Sequence, residues 1–298
     1  MKLKTPLRYP GGKSRATQKL AQFLPDMSTI TSYREPFLGG GSVALYMAQK
    51  YPHLKIWVND LYNPLYTFWS ILQERPQELY EILVGYKEDH STPDAARELF
   101  NQMKIELNHK ESEDIYRAAA FYVINKCSFS GLTESSSFSA QASDSNFSMR
   151  GIENLPEYSK IIQNWKITNY SYQQLMCNGR DIFIYLDPPY EIKDKLYGKS
   201  GNMHSTFNHD TFANQCQQHV DGTNMMVSYN SSQLIRDRFT TWTPYEFDHT
   251  YTMRSVGDYM ADQKDRKELV LINYGIRSEL PLEGLPEGNQ SDETELDA

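Results

Sequence analysis

Between Thr31 and Asp60 the sequence leaves the backbone few choices. Residues 31–37 are β-compatible, Leu38-Gly39-Gly40-Gly41-Ser42 breaks them, and Val43-Ala44-Leu45-Tyr46-Met47-Ala48 continues as a helix. Leu54-Lys55-Ile56-Trp57-Val58 then alternates polar and apolar and ends in Asn59-Asp60, which reads as a second strand. Strand, turn, crossover helix and strand make a parallel βαβ unit. Gly39, Gly41 and Ala44 satisfy G-x-G-x-x-A, and Asp60 lies 19 residues beyond Gly41. In that pattern glycines let a ligand approach the backbone, and the later carboxylate accepts from a ribose diol. Any adenosine-bearing ligand meets this description, so a nucleoside cofactor is expected and a nicotinamide is one candidate. A tight turn followed by a surface Asp is the bland alternative.

A second element narrows the choice. Ile182-Phe183-Ile184-Tyr185-Leu186 reads as a buried strand that ends in Asp187-Pro188-Pro189-Tyr190. Two prolines stiffen the backbone and remove two N–H donors, so acceptors dominate the turn. The Asp187 carboxylate and the Pro188 carbonyl can together accept both protons of an exocyclic amine, while Tyr190 offers a π face to a planar base. A strand-ending turn with a capping Asp is the plainer reading.

With Leu7-Arg8-Tyr9-Pro10-Gly11-Gly12-Lys13, Glu35-Pro36-Phe37-Leu38-Gly39-Gly40-Gly41-Ser42, Asn59-Asp60 and Asp187 to Tyr190 in this order, the chain resembles the DNA adenine methyltransferases whose cofactor motif precedes the target-recognition region. The resemblance runs over most of residues 7–275. It implies an α/β fold, a Rossmann-like methyltransferase with a seven-stranded sheet and an inserted helical DNA-recognition subdomain. It also implies S-adenosyl-L-methionine as cofactor, held by Tyr9, Lys13, Phe37, Gly39, Gly41, Asp60 and Asp187, with catalysis by Asp187, Pro188 and Tyr190. Lys13 would meet the methionine carboxylate or the acids that hold it. The reaction implied is methyl transfer to the N6 amine of an adenine extruded from the duplex. The amine lone pair is delocalised into the ring; two hydrogen bonds would aim it at the methyl group and stabilise the developing charge.

Residues 1–62 and 155–277 are expected to form a discontinuous catalytic domain, 63–154 a helical insert with a Ser-rich target-recognition loop, and 278–298 a disordered acidic tail. Thr92-Pro93-Asp94 starts a helix carrying Ala96, Leu99, Phe100, Met103 and Leu107 at helical spacing, and another follows Ser112 with Ile115, Ala119 and Tyr122 on one side. Residues 128–150 hold nine serines and read as a loop or irregular hairpin. Further strand signals lie at 165–172, 225–229 and 269–273.

Double-stranded DNA is the expected partner, contacted by Phe129, Ser130, Thr133, Phe138, Asn146, Arg150 and Arg254. Residues 128–149 contain no Lys or Arg, the usual readers of guanine, so hydroxyls, amides and a wedging Phe129, Phe138 or Phe147 would do the reading and the methylated site would differ from GATC. The formal charge of −8 does not oppose a polyanion. Seven acids from Glu279 onward carry almost all of it, and removing them leaves −1, while the first twenty residues are +6.

No run approaches the roughly 18 apolar residues of a membrane span, and the basic N-terminus is unlike a signal peptide, so a cytoplasmic protein without membrane partners is expected. Cys127, Cys177 and Cys216 are too scattered for a disulfide frame or a zinc site, and no metal is expected; His204 and His209 read as structural or substrate-adjacent. A monomer or weak dimer, with a cognate restriction enzyme as an open partner, completes the reading. Cytosine, RNA or a glutamine side chain remains open as the methyl acceptor. From other classes, a nicotinamide oxidoreductase and an inactive DNA-binding protein remain open.

Overall fold

The computed structural model describes residues 3–9, 11–129, 136–190, 207–218, 222–248 and 267–276. The acidic tail, Ser130, Thr133, His204 and Arg254 lie outside the described residues.

Seven strands form one sheet: β1 (Ser32–Glu35), β2 (Lys55–Asn59), β3 (Lys166–Thr168), β4 (Ile182–Leu186), β5 (Asn224–Asn230), β6 (Thr243–Asp248) and β7 (Lys267–Ile272), in the order β3-β2-β1-β4-β5-β7-β6. Only β7 runs antiparallel to its neighbours. An all-apolar β4 is buried at every position because both faces of a parallel sheet are covered. Phe183 and Tyr185 enter the core on one face, whereas Ile182, Ile184 and Leu186 enter the core on the other. The chain order reverses at β1, flanked by β2 and β4, which opens a crevice beyond the carboxyl ends of these three strands.

The helices are α1 (Thr17–Leu20), α2 (Ser42–Lys50), α3 (Asn63–Glu74), α4 (Pro76–Asp89), α5 (Pro93–Asn108), α6 (Asp114–Cys127), α7 (Ala140–Ser145), α8 (Met149–Glu153), α9 (Leu155–Ile162), α10 (His209–Gln218) and α11 (Gln233–Arg238). Helices α3–α9 stand between β2 and β3, where a single crossover would suffice. The Thr92 side chain caps α5 by accepting from the Ala95 amide at 3.3 Å, and the five apolar residues picked by spacing are its buried stripe. Helix α6 is buried almost all round from Ala118 to Asn125, and the apolar residues of the insert join the core on one face of the sheet.

Two expectations need correction and a third is met in part. The strand at 165–172 shrinks to β3, because the buried Asn59 amide takes over: it donates to the Tyr170 carbonyl at 2.9 Å and accepts from the Tyr170 amide at 2.8 Å. Strand β6 escaped notice because it contains Pro244 and alternates weakly; as the edge strand it tolerates a missing donor. Of the two readings of the Ser-rich segment, loop or irregular hairpin, the hairpin fits its first part, through an antiparallel bridge, and the rest is helical. After a bridge between Ser128 and Phe138 it forms α7 and α8, and two of its serines are helix caps, Ser139 accepting from Ala142 and Ser148 from Gly151, each at 3.2 Å.

Gly41, in the residue before α2, has φ +69° and abuts the Trp69 ring, which would lie 2.7 Å from an added Cβ. Gly41→Ala combines a left-handed backbone with a steric clash and is expected to destabilise the protein by about 2 kcal/mol or more, measured by denaturant unfolding.

Candidate active site

The crevice is lined by the N-terminal turn (Tyr9, Gly11, Gly12, Lys13), the end of β1 and its glycine turn, the end of β2, Tyr172 after β3, and Asp187 to Tyr190 after β4. Elements far apart in sequence thus meet at the switch point.

Lys13 organises the floor. Its ammonium is 2% exposed and donates to the Gly11 carbonyl at 3.0 Å, Asp187 Oδ1 at 2.9 Å and the Tyr190 hydroxyl at 2.5 Å, with Glu268 Oε1 at 3.3 Å. Asp187 Oδ1 also accepts from Ser228 at 3.0 Å, and Ser228 is linked to the Tyr185 hydroxyl at 2.8 Å. Every hydrogen bond to Asp187 from the described residues lands on Oδ1, and none of them reaches Oδ2, on a side chain that is 20% exposed. Burial, with Glu268 nearby, pushes the Asp187 carboxyl above its ordinary range, and the Lys13 ammonium opposes that shift. Burial also acts to lower Lys13, but the two carboxylates outweigh it and hold the ammonium above its usual value.

Tyr190 presents less ring to the cleft than the sequence suggested. It is 8% exposed, packs on Tyr229 at 5.9 Å between ring centroids, and sets its hydroxyl 2.9 Å from Glu268 and 3.1 Å from Asp187. The second buried carboxylate of the site was missed: Glu35 is 2% exposed, accepts from the Tyr33 hydroxyl at 2.5 Å, and is pushed well up by burial. Glu268 was missed too, and in both cases an acid inside a strand-like run was the available signal.

Asp60 stands across the crevice from Asp187. Its oxygens accept from the amides of Gly39 at 2.9 Å and Tyr62 at 3.0 Å, while burial pushes the carboxyl up to about 6. Asn59 is structural, tying the Pro36 and Tyr170 carbonyls to β2. The glycines serve the protein's own rings before any ligand: a Cβ on Gly39 would meet the Tyr9 ring at 3.0 Å, and Trp69 donates to the Gly39 carbonyl at 3.2 Å. Phe37, Tyr172 and Phe207 form an aromatic group lining the crevice, with Phe37 centroids 5.3 and 5.8 Å from the other two.

The model of the D12 class of N6 adenine-specific DNA methyltransferases matches residues 9–253, which takes in the glycine turn, both crevice carboxylates and the helical insert. The chain belongs to this family. It is similar to the type II methyltransferase M.MjaIII of Methanocaldococcus jannaschii, 25% identical over 230 residues that cover 70% of this chain and 77% of the relative. It also resembles the DNA N-6-adenine-methyltransferase of Escherichia phage P1, 28% identical over 126 residues, 42% of this chain and 15% of that protein. Membership decides among the methyl acceptors and the enzyme classes left open by the sequence: the family is that of adenine-specific DNA methyltransferases, and not of enzymes acting on cytosine, RNA or glutamine or of nicotinamide oxidoreductases. No helix among the described residues is long and apolar enough to cross a membrane.

The DNA-reading candidates of the methyltransferase are dispersed. Phe129 is 42% exposed and Arg150 is exposed, but Phe138 packs on Phe100 at 5.7 Å and Asn146 is tied to the Ala142 carbonyl at 3.3 Å. Phe147, offered as a wedge, is 1% exposed in the core. The cations absent from this segment come from its neighbours. Arg8 donates to the Ser128 carbonyl at 2.9 Å, Lys104 donates to the Ser136 carbonyl at 3.1 Å, Arg97 lies over Phe138 and Lys87 over Phe147. Burial, then the Arg8 guanidinium, pushes half-buried Lys126 down to about 8. Four cations from neighbouring elements thus lie against a segment that holds none of its own.

Lys13→Met would leave Asp187 and Glu268 facing each other without their cation. A loss of about 3 to 5 kcal/mol is expected in denaturant unfolding, the scale for breaking a buried ion pair from one side.

Proposed function

We propose that the chain transfers a methyl group from S-adenosyl-L-methionine to the N6 amine of an adenine extruded from duplex DNA, with Asp60 and Asp187 dividing the work. The observation that carries this reading is that these two carboxylates line one crevice, at the ends of β2 and β4 on either side of β1. The residues present fit the cofactor: Asp60 keeps accepting capacity for a ribose diol beyond its two amides, and the aromatic group of Phe37, Tyr172 and Phe207 offers faces for a purine. When bound, the cofactor supplies an electrophilic methyl on a sulfonium.

The protein's share is orientation and charge. Hydrogen bonds from Lys13 and Ser228 to Oδ1 hold Asp187 in place, and Oδ2 accepts one proton of the adenine amine. The Pro188 carbonyl accepts the other, and together they draw the lone pair out of the ring plane toward the methyl group. Phe129 and Arg150, with the cations of Arg8, Lys104 and Lys126, face the duplex and bear on the phosphates and the gap left by the extruded base. The type II name of the archaeal relative supports a cognate restriction enzyme as partner.

Asp187→Ala should lower methyl transfer by more than a hundredfold, about 3 kcal/mol of transition-state stabilisation, with far-ultraviolet circular dichroism unchanged. Tritiated methyl transfer to mixed-sequence duplex DNA measures this, and activity within tenfold of wild type would remove Asp187 from the mechanism.

Because the Asp60 carboxyl titrates at about 6, the charged acceptor is present above that pH and lost below it. Cofactor affinity should therefore weaken as pH falls through 6, approaching tenfold per unit, with no such step in Asp60→Asn; calorimetry from pH 5 to 8 checks it. The sign for folding is opposite. A raised carboxyl favours the folded state fully below its ordinary pKa, and that contribution is lost as pH rises through about 6.

A further inference from the structure

Ser228 is a small polar residue inside the largely apolar strand β5, and it is 0% exposed. A hydroxyl buried there has to find partners. The pairing of Leu186 with Val227 puts Ser228 one step further along β5, level with Asp187. Among the described residues its Oγ has two hydrogen-bond partners, Asp187 Oδ1 at 3.0 Å and the Tyr185 hydroxyl at 2.8 Å. We propose that Ser228 is a positioning residue for methyl transfer: Tyr185, Ser228 and Asp187 form a directed hydrogen-bond relay that fixes the plane of the Asp187 carboxylate, so that Oδ2 meets the adenine amine at the required angle.

This role rests on the methyl-transfer reading. The direction of the relay follows from the protons each group carries. Asp187 Oδ1 accepts from the Lys13 ammonium at 2.9 Å, so Ser228 gives its one hydroxyl proton to the same oxygen. The Ser228 oxygen is then left to accept, which makes Tyr185 the donor. Burial holds the Tyr185 phenol well above its usual value, so it keeps the proton this needs. Tyr190 stands 3.1 Å from Oδ1, but Glu268 is its nearer acceptor at 2.9 Å.

A lysine ammonium is a point charge on a flexible stem, and a carboxylate held by it alone can pivot about that contact. Ser228 approaches from β5 and Lys13 from the N-terminal turn, so the two donors together fix the carboxylate plane. A serine hydroxyl by itself turns about its Cβ–Oγ bond. The Tyr185 proton on its oxygen removes that freedom and polarises the next bond of the relay. Aiming a lone pair at a methyl group is sensitive to angle, so loss of the relay bears on the rate and not on the binding of either substrate.

The test uses the full chain, tritiated S-adenosylmethionine and mixed-sequence duplex DNA. Two substitutions separate the donor from its volume. Ser228→Cys is close in size but a weak donor, and it should lower kcat by about tenfold or more with KM for the cofactor and for DNA within about threefold of wild type. Ser228→Thr keeps the donor and should hold kcat within about threefold of wild type. A merely structural role gives the reverse order, because the added methyl disturbs packing and the sulfur substitution does so less. Tyr185→Phe should also lower kcat, and Tyr185→Phe combined with Ser228→Cys should be no slower than Ser228→Cys alone, since both act through one relay. This second comparison decides the matter even where the threonine methyl prevents folding. A kcat near wild type in Ser228→Cys, a folded Ser228→Thr as slow as Ser228→Cys, or losses that multiply in the double variant overturn the Ser228 proposal alone. A wild type that transfers no methyl to DNA adenine overturns the underlying reading with it.

Discussion

One buried ammonium joins three separate parts of this fold. Lys13 comes from the N-terminal turn, Asp187 and Tyr190 from the end of β4, and Glu268 from β7, and no other cation among the described residues pairs with these acids. Burying an ion pair is a weak source of net stability, because desolvation consumes most of the attraction. Its consequence is geometric. A lysine held by a backbone carbonyl, a carboxylate and a phenol cannot shift without stranding a charge, so the first turn of the chain stays against the strand end where the chemistry takes place.

The glycine turn makes a related point about reading motifs. Glycines at 39, 40 and 41 would be explained by a ligand's need to approach backbone, but Tyr9 and Trp69 occupy the space that side chains there would fill. The turn thus shapes the crevice through the protein's own aromatic rings. Tyr9 is brought onto the glycines from the same N-terminal segment that carries Lys13, so one short stretch serves both walls of the site.

The helical insert and the sheet share one core, which bears on how DNA is met. Serines of the 136–149 stretch cap helices, and its aromatic side chains pack on α5 and α6. Positive charge around this stretch comes from Arg8 and from helices α4, α5 and α6. Capping and packing hold a segment of small polar residues in a defined shape and leave its cationic surroundings to other elements.

Periodicity and turn chemistry determined much of this protein. The glycine turn between β1 and α2, the run of β4, the cap and buried stripe of α5, and the roles of Asp60 and Asp187 as strand-end carboxylates all follow from local pattern, since backbone propensity and hydrophobic spacing act over a few residues. Tertiary structure alone decided the rest. Glu268 and Glu35 read as ordinary polar residues in strands until the sheet buries them, Pro244 hides an edge strand that only β7 stabilises, and Asn59 replaces a strand by holding Tyr170. Each depends on partners tens to hundreds of residues away, and the pairing of a buried charge is a property of the packed core that no local stretch of sequence contains.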